Sequence, residues 1–279
     1  MWEKRTERAN FTSQISGDCL YADWIGAFFI PWIHRTNAIV VLPNYRLIPE
    51  HSGADILEDL SDFWKWFNAG AVDKFLNSQP TIKDSGISLD YGKTLVTGDS
   101  AGGYMALMSA LTQPRGSFKA VFAQYPMTNY LRCKKVDMFF GYPAPPESII
   151  AQHLAAVKPG AIVTSGTQPE RMGLSYALAA YGHYLTYFGS DEKMWPIALV
   201  EEKKWLPPTW IVHGDTDSAV SVEDSKKFVE KCKGLEEHVE IRLEVRSGQE
   251  HGFDIAAKED EEAWLKEGLA WVDGKWLRS

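Results

Sequence analysis

The stretch Thr94-Leu-Val-Thr-Gly-Asp-Ser-Ala-Gly-Gly103 decides the fold class. Its first four residues form a short β-branched run that predicts a buried strand, and residues 101–111 predict a helix. Between them lies a Gly-x-Ser-x-Gly pattern, which in this context holds a serine on a sharp turn at the carboxyl end of a sheet. Ser100 is therefore a candidate nucleophile, and the Ala101 N–H is a candidate donor to an oxyanion.

Four further runs predict strands, because they are rich in β-branched residues and bounded by turn residues; they cover residues 38–42, 120–123, 209–212 and 239–245. All but the last are nearly continuous in apolar residues, as expected of strands covered on both faces of a parallel sheet. The last alternates, which predicts an edge strand. Helical patterns lie between the runs, at residues 56–67, 101–111, 223–233 and 259–272. The alternation predicts an α/β fold, a mostly parallel sheet with helices on both faces.

Length and continuity of composition predict a single domain over residues 1–279. The chain shows no internal repeat and no Gly/Ser-rich linker between halves of different composition. The connection over residues 127–207 is far longer than a simple crossover, which takes about a dozen residues or more. We therefore expect an inserted helical lid at about residues 127–207.

Composition excludes several classes of partner. The chain has 29 Lys and Arg against 37 Asp and Glu, a formal charge of −8, so the basic surface that a nucleic-acid partner needs is not expected. The longest nearly unbroken apolar stretch, residues 25–33, is far shorter than a bilayer span of about 20 residues. The N-terminus carries charges of both signs and does not resemble a secretory signal. Three widely spaced cysteines, Cys19, Cys133 and Cys232, are typical of reduced thiols, so we expect a cytoplasmic protein.

A serine nucleophile needs a base and a carboxylate that orients the base. His251 follows the last predicted strand, and Asp217 follows the preceding one, so both belong to loops at the carboxyl edge of the sheet. The chain order Ser100, Asp217, His251 favours a catalytic triad. Asp215 competes with Asp217 for the acid role, and spacing alone does not separate the two.

Other residues near the candidate triad and in the predicted lid are expected to have structural roles. His213 is expected to be structural, and Glu250 is expected to be a solvent-exposed charge beside the base. A stripe of aromatic residues either lines a substrate pocket or forms the lid's own core, and the second interpretation is favoured; it consists of Tyr176, Tyr181, Tyr184, Tyr187 and Phe188.

Taken together, these segments resemble the α/β-hydrolase superfamily, in particular its hormone-sensitive-lipase-like carboxylesterase branch. The resemblance begins near Tyr21 and rests on Pro43-Asn-Tyr-Arg-Leu-Ile-Pro-Glu50, the Gly98 to Gly103 segment, the Asp217 segment and His251-Gly-Phe253. Membership of this branch implies hydrolysis of carboxyl esters or lactones through a serine acyl-enzyme, with no cofactor and no metal. Among fungal relatives it further implies a role in tailoring secondary metabolites.

One region departs from the branch pattern. Relatives carry two or three further strands and an H-G-G-G-type oxyanion loop before the part that resembles residues 11–24, where this chain reads Glu7-Arg-Ala-Asn-Phe11. We therefore expect an N-terminally shortened sheet. The strands at residues 38–42 and 94–97 then either pair directly or are separated by another segment. Loss of one oxyanion donor costs about 10²–10³ in turnover, unless a backbone N–H near Asn10 or Phe11 replaces it.

The leading hypothesis is a serine hydrolase acting on a small or medium ester, lactone or thioester. Ser100 would attack, His251 would carry the proton, and Asp217 would orient the imidazolium. The alternatives are a non-hydrolytic protein of the same fold that binds a small ligand, an inactive truncated relative, and a peptidase. Oligomeric state stays open, and an unpaired sheet edge would favour a dimer.

Overall fold

The computed structural model describes the backbone of residues 5–11, and residues 25–83, 85–130, 135–139, 141–166, 171–235 and 239–278. Within these residues the strands are β1 (Arg5–Phe11), β2 (Ala38–Val41), β3 (Leu89–Asp99), β4 (Ala120–Gln124), β5 (Met138–Phe139), β6 (Tyr142–Pro143), β7 (Thr209–Gly214) and β8 (Ile241–Arg246). Six of them form one parallel sheet in the order β2-β1-β3-β4-β7-β8, and β5 and β6 form a short antiparallel hairpin. The five strands predicted from sequence are confirmed, and β8 is an edge strand as predicted.

Strand β1 occupies the place between β2 and β3 that the sequence left open. Thr6 to Ala9 pair with Ala38 to Val41 on one side, and the strand pairs with β3 on the other, ending with Phe11 opposite Gly98. The two neighbouring strands are therefore separated by another segment and do not pair directly. Periodicity does not predict β1, because Arg-Thr-Glu-Arg-Ala-Asn-Phe lacks the apolar run of a central strand.

Ten helices lie among the described residues: α1 (Phe29–Thr36), α2 (Gly53–Asn68), α3 (Ala71–Ser78), α4 (Ala101–Thr112), α5 (Ser148–Ala156), α6 (Met172–Ala180), α7 (Tyr184–Phe188), α8 (Pro196–Lys203), α9 (Val222–Lys233) and α10 (Ala263–Trp276). The four predicted helices are confirmed. Helix α10 begins after the predicted residue 259, because the chain from Lys258 to Glu262 forms hydrogen-bonded turns first. Within the described residues, no helix combines the length and apolarity that a bilayer crossing requires.

The sheet has a separate apolar core on each face. Alternate residues of β4 point to opposite sides: Val121 and Ala123 pack with α2, α4, α8 and α9, whereas Ala120 and Phe122 pack with α1 and α10. Helix α2 begins at a capping box, in which Ser52 and Asp55 exchange side-chain and backbone hydrogen bonds. Its apolar face then packs Trp64 into the core. Helices therefore cover both faces, as predicted.

The long connection between β4 and β7 contains the β5–β6 hairpin and helices α5 to α8. It is tied to the segment that precedes α2: the buried Glu50 carboxylate accepts hydrogen bonds from Arg171 and lies 2.7 Å from His153 Nε2. Burial would raise the pKa of Glu50, but Arg171 outweighs it and lowers that pKa. Tyr184 and Phe188 of the aromatic stripe are buried in the core, consistent with the structural interpretation. Whether this connection acts as a lid stays a prediction.

Candidate active site

Ser100 lies at the turn between β3 and α4 in a strained backbone conformation. Its φ of 54° and ψ of −116° lie in a region that residues with a side chain rarely adopt. Two contacts hold the turn: the Ser100 N–H donates to the Gln124 carbonyl oxygen at 2.9 Å, and helix α4 packs closely on the chain after β4. A Cβ added at Gly103 would lie 2.9 Å from Pro126 Cβ, so only glycine permits this approach.

The structure brings Ser100, His251 and Asp217 together although they are far apart in sequence. His251 Nε2 lies 3.0 Å from Ser100 Oγ, and His251 Nδ1 lies 2.7 Å from Asp217 Oδ2. The Asp217 side chain is fully buried, and that of His251 is 12% exposed. Because a carboxylate only accepts hydrogen bonds, the proton of a neutral imidazole belongs on Nδ1, and Nε2 is free to accept from the serine hydroxyl.

The surroundings of Asp217 stabilise its ionised form. Burial alone would raise its pKa, but the charge of His251 and hydrogen bonds from His213, His251 and Val220 hold the pKa of Asp217 well below its usual range. The second carboxylate oxygen, Oδ1, accepts backbone N–H bonds from Ala219 and Val220, each at 2.8 Å. The carboxylate is therefore fixed in orientation as well as in charge.

His213 is buried and structural in its contacts, as predicted. Its Nε2 faces two oxygens, Val220 O at 3.0 Å and Asp217 Oδ2 at 3.2 Å, and its Nδ1 lies 2.8 Å from Ser225 Oγ. Two acceptors at Nε2 require the proton on that nitrogen, and Nδ1 then accepts from the serine hydroxyl. His213 thus supports Asp217 at Oδ2, the same carboxylate oxygen that His251 contacts.

The loop after β7 and the loop after β8 are joined by several hydrogen bonds. The Thr216 N–H donates to the Gln249 carbonyl at 3.1 Å, and a Cβ at Gly214 would lie 2.2 Å from that same oxygen. Asp215 Oδ1 accepts the Gly248 N–H at 2.6 Å. Asp215 therefore joins the loops, and Asp217 is the aspartate that contacts the imidazole.

The expectation that Glu250 is a solvent-exposed charge is wrong. It is half-buried, and its Oε1 accepts backbone N–H bonds from Ser218 at 2.6 Å and from His251 at 2.8 Å. One carboxylate oxygen thus links the residue after Asp217 to the candidate base. No periodic pattern marks this role, because it depends on how two separate loops meet.

The Ala101 N–H belongs to the first turn of α4, where N–H groups have no acceptor within the helix. It is thus available to an oxyanion at the positive end of the helix dipole. The register of Phe11 opposite Gly98 puts the end of β1 beside this turn. Residues 12–24, which follow β1, lie outside the described residues.

A third buried carboxylate, Asp254, escaped the sequence analysis. It accepts hydrogen bonds from Gln124 Nε2 and, at 2.9 Å, from the Tyr125 hydroxyl. Burial raises the pKa of Asp254, although these two bonds and the charge of His251 lower it. The sequence feature that could have drawn attention to Asp254 is its position three residues after the candidate base, His251. Across the part of the chain that the structure describes, no cluster of three or more His, Cys, Asp or Glu side chains is arranged to hold a metal ion.

Comparisons with known proteins agree with this fold. A family model described as alpha/beta hydrolase fold matches residues 22–255. The chain is 28% identical over 277 residues to a probable carboxylesterase, M8, of Phoma sp., covering 94% of this chain and 82% of that protein. It is 30% identical over 198 residues to a probable carboxylesterase, clz11, of Cochliobolus lunatus, covering 66% of this chain and 87% of that protein.

Solved structures share the fold at low identity. A Staphylococcus aureus protein of unknown function aligns with a TM-score of 0.70 and 18% identity, covering 98% of this chain and 90% of that one. Esterase 2 of Thermogutta terrifontis, phosphonylated by sarin, aligns with a TM-score of 0.55 and 17% identity, covering 98% and 83% of the two chains. At 18% and 17% identity, these alignments show a shared fold.

Proposed function

Since the chain belongs to the α/β-hydrolase-fold family, we propose that it is a serine hydrolase that cleaves a small or medium carboxyl ester, lactone or thioester through an acyl-enzyme. The observation that carries the proposal is the continuous hydrogen-bonded series from Ser100 Oγ through His251 to Asp217. The two related proteins, both named as probable carboxylesterases, support the carboxylic-ester class.

In the acylation half of the reaction, Ser100 Oγ attacks the carbonyl carbon while its proton passes to His251 Nε2, a transfer that the 3.0 Å separation supports. Asp217 stabilises the imidazolium that forms. The Ala101 N–H would donate to the developing oxyanion. When the tetrahedral intermediate collapses, the C–O or C–S bond to the leaving group breaks, and His251 returns the proton to that group.

The deacylation half repeats these steps with water. His251 Nε2 takes a proton from the attacking water, whose oxygen adds to the acyl carbon. Collapse of the second intermediate breaks the bond to Ser100 Oγ, which recovers the proton from His251. Ester and water thus give acid and alcohol, and a thioester and water give acid and thiol, with every proton carried by His251.

Intact mass after fluorophosphonate treatment tests whether Ser100 is activated, without a guess at the substrate. We expect one adduct on the wild type and none on Ser100→Ala. Ser78→Ala is the matched control, because that exposed serine on α3 hydrogen-bonds its sequence neighbours, donating to the Phe75 carbonyl and accepting from the Gln79 side-chain amide, and should leave labelling unchanged. An adduct that persists in Ser100→Ala would overturn the assignment.

The second candidate function is ligand binding without hydrolysis. It is favoured by one observation, the lack of an H-G-G-G run anywhere in the sequence. Three results together would favour this alternative. The folded wild type would take no fluorophosphonate and would turn over none of a panel of acetyl, butyryl, lactone and thioester substrates. A bound ligand would raise the Tm of the wild type and of Ser100→Ala equally.

The biological setting is part of the same proposal. We extend the proposal to a pathway-specific substrate, so that the enzyme tailors a secondary metabolite; this part rests on the sequence resemblance to the carboxylesterase branch alone. A cytoplasmic site of action is supported by the cysteine count and by Cys232, a buried free thiol whose pKa burial raises to about 12. Fractionation of cells that express the tagged chain would test the location, and secretion into the medium would contradict it.

A further inference from the structure

Gln124, the last residue of β4, contacts both sides of the candidate site. Its backbone carbonyl accepts the Ser100 N–H at 2.9 Å, and its side-chain amide donates to the Asp254 carboxylate. One residue therefore connects the turn that carries the candidate nucleophile to the loop that carries the candidate base. Any shift of Asp254 relative to β4 would be transmitted to the separation between Ser100 and His251.

Tyr125 makes the second connection. Its hydroxyl donates to Asp254 at 2.9 Å, and its ring lies against the His251 ring with centroids 4.4 Å apart. Its backbone has a φ of 35°, unusual for a residue with a side chain, and its N–H donates to Val212 O at 2.6 Å. Hydrogen bonds therefore hold Tyr125 at its hydroxyl and at its backbone N–H, and its ring packs against the imidazole.

We propose that Asp254, acting with Gln124 and Tyr125, is a positioning residue that sets the distance between His251 and Ser100 and the charge state of the imidazole. This inference rests on the proposed function, since it assigns a role only if His251 acts as a base. Asp254 does not touch the reacting atoms. It acts through Tyr125 on the imidazole and through Gln124 on the serine turn.

The choice of a carboxylate supports this role over a purely structural one. Asp254 is 2% exposed, and its two side-chain partners, Gln124 and Tyr125, are neutral donors. A buried carboxylate without a cationic partner is unfavourable for folding, and an amide could make the same number of hydrogen bonds without a charge. The negative charge does, however, favour an imidazolium nearby, and the two charges are coupled.

Other charges also face His251, so the contribution of Asp254 must be isolated. The titratable groups near the imidazole and the Tyr125 ring come from four elements: Asp99 at the end of β3, Tyr125 after β4, His213 and Asp217 from β7 and the loop after it, and Glu250 and Asp254 from the base loop. Variants at Asp254 that keep its volume leave the other groups unchanged.

Asp254→Asn separates charge from hydrogen bonding. The Gln124 amide can rotate so that its oxygen accepts from the new amide, while the Asn carbonyl accepts from Tyr125. We expect kcat to fall about 3–10-fold with KM unchanged. Because a negative charge is lost, the proton leaves the imidazole at lower pH, and the acid limb of the kcat/KM profile should move to lower pH.

Tyr125→Phe separates the hydrogen bond from the charge. It keeps the ring against His251 and the charge on Asp254, so we expect kcat to fall several-fold through misplacement while the acid limb moves less than in Asp254→Asn. Tyr104→Phe is the matched control. It also removes a buried hydroxyl, one bonded to the Met194 carbonyl at 2.9 Å on the far side of α4, and should lower Tm without changing kcat.

An exchange of the pair provides a rescue. In Gln124→Glu/Asp254→Asn the Asn amide donates to the new carboxylate, its carbonyl accepts from Tyr125, and a negative charge is restored. We expect kcat within about threefold of wild type, and the acid limb back at higher pH. Asp254→Ala, which lacks the carboxylate altogether, should lose about 10–100-fold in kcat.

Two results would overturn the inference: wild-type kcat and pH profile in folded Asp254→Asn and Tyr125→Phe, or losses in both that match Tyr104→Phe in Tm and leave the profile unmoved. If Asp254→Ala does not fold, Asp254→Asn and Tyr125→Phe, which preserve side-chain volume, still test the inference. Titration of the His251 imidazole resonances by NMR supplies a readout that needs no turnover. If the wild type takes no fluorophosphonate, the proposed function fails, while a midpoint lowered by Asp254→Asn would still show the electrostatic coupling.

Discussion

Asp217, in the loop after β7, and Asp254, in the loop that carries His251, are buried carboxylates whose pKa shifts have opposite directions. Asp217 receives backbone N–H bonds from Ala219 and Val220 and faces two imidazoles, and its pKa lies well below the usual range. Burial dominates the shift at Asp254, which is bonded by neutral side chains, and raises its pKa. Burial alone therefore does not determine whether the pKa of a carboxyl group in this site is raised or lowered.

The difference lies in the donors that each loop supplies. The loop after β7 turns its backbone N–H groups and His213 toward Asp217, so the ionised form is stabilised before any substrate binds. The end of β4 and the residue after it supply neutral donors to Asp254, the Gln124 amide and the Tyr125 hydroxyl. We therefore expect substitutions at Asp217 to act on the orientation of His251, and substitutions at Asp254 to act on its position and charge.

The largest expected effect is that of Asp217→Asn. The Asn carbonyl would keep the bonds from Ala219 and Val220, which directs its NH₂ group at His251 Nδ1. The imidazole would then carry its proton on Nε2 and could not accept from Ser100. We expect kcat to fall about 10⁴-fold, measured on the best ester of the panel. A loss below about tenfold would mean that Asp217 does not select the tautomer.

The pH dependence of unfolding gives the next largest effect and tests the opposite pKa shifts directly. Ionised Asp217 contributes stability that is full above the unfolded pKa of about 4 and is lost as pH falls toward its folded pKa. Asp254 has the reverse sign: its ionisation opposes folding, and that cost grows as pH rises from about 4 through its raised folded pKa.

Urea unfolding of wild type, Asp217→Asn and Asp254→Asn between pH 2 and pH 8 measures both signs. From pH 2 to about 4, the wild type should gain stability relative to Asp217→Asn, by up to about 2.5 kcal/mol, because one group changes the unfolding free energy by at most about 1.4 kcal/mol per pH unit. Above about pH 4 it should lose stability relative to Asp254→Asn. Parallel curves for the two variants would remove the distinction between the carboxylates.

Glu250→Ala should have a smaller effect. It removes the oxygen that joins the Ser218 and His251 N–H groups, so the two loops lose one connection while Gln249 and Asp215 keep others. We expect kcat/KM to fall about tenfold, or about 1.4 kcal/mol. Glu250→Gln is the matched control, because its amide oxygen can accept the same two bonds and should retain activity within about threefold.

The sequence predicted those parts of the site that depend on local pattern. Ser100, Asp217 and His251 were found because each follows a strand with a recognisable pattern, an apolar run before Ser100 and Asp217 and an alternating one before His251. Asp254 and Glu250 were not, since their roles depend on which loops meet at the carboxyl edge of the sheet. Strand β1 was missed for a related reason: its pairing with β2 and β3 is set by the backbone, while its residues are polar.

Asp215→Asn should have the smallest effect, and it sharpens the comparison because Asp215 stands two residues from Asp217 in the same loop. Its oxygen accepts the Gly248 N–H, and an Asn carbonyl can accept that bond equally well. The residue is exposed, and its hydrogen bond is to Gly248 and not to His251. We expect kcat and KM within about twofold of wild type, less than 0.5 kcal/mol. A loss approaching that of Asp217→Asn would mean that the acid role is shared between the two aspartates, and that orientation of the imidazole depends on the whole loop and not on one carboxylate.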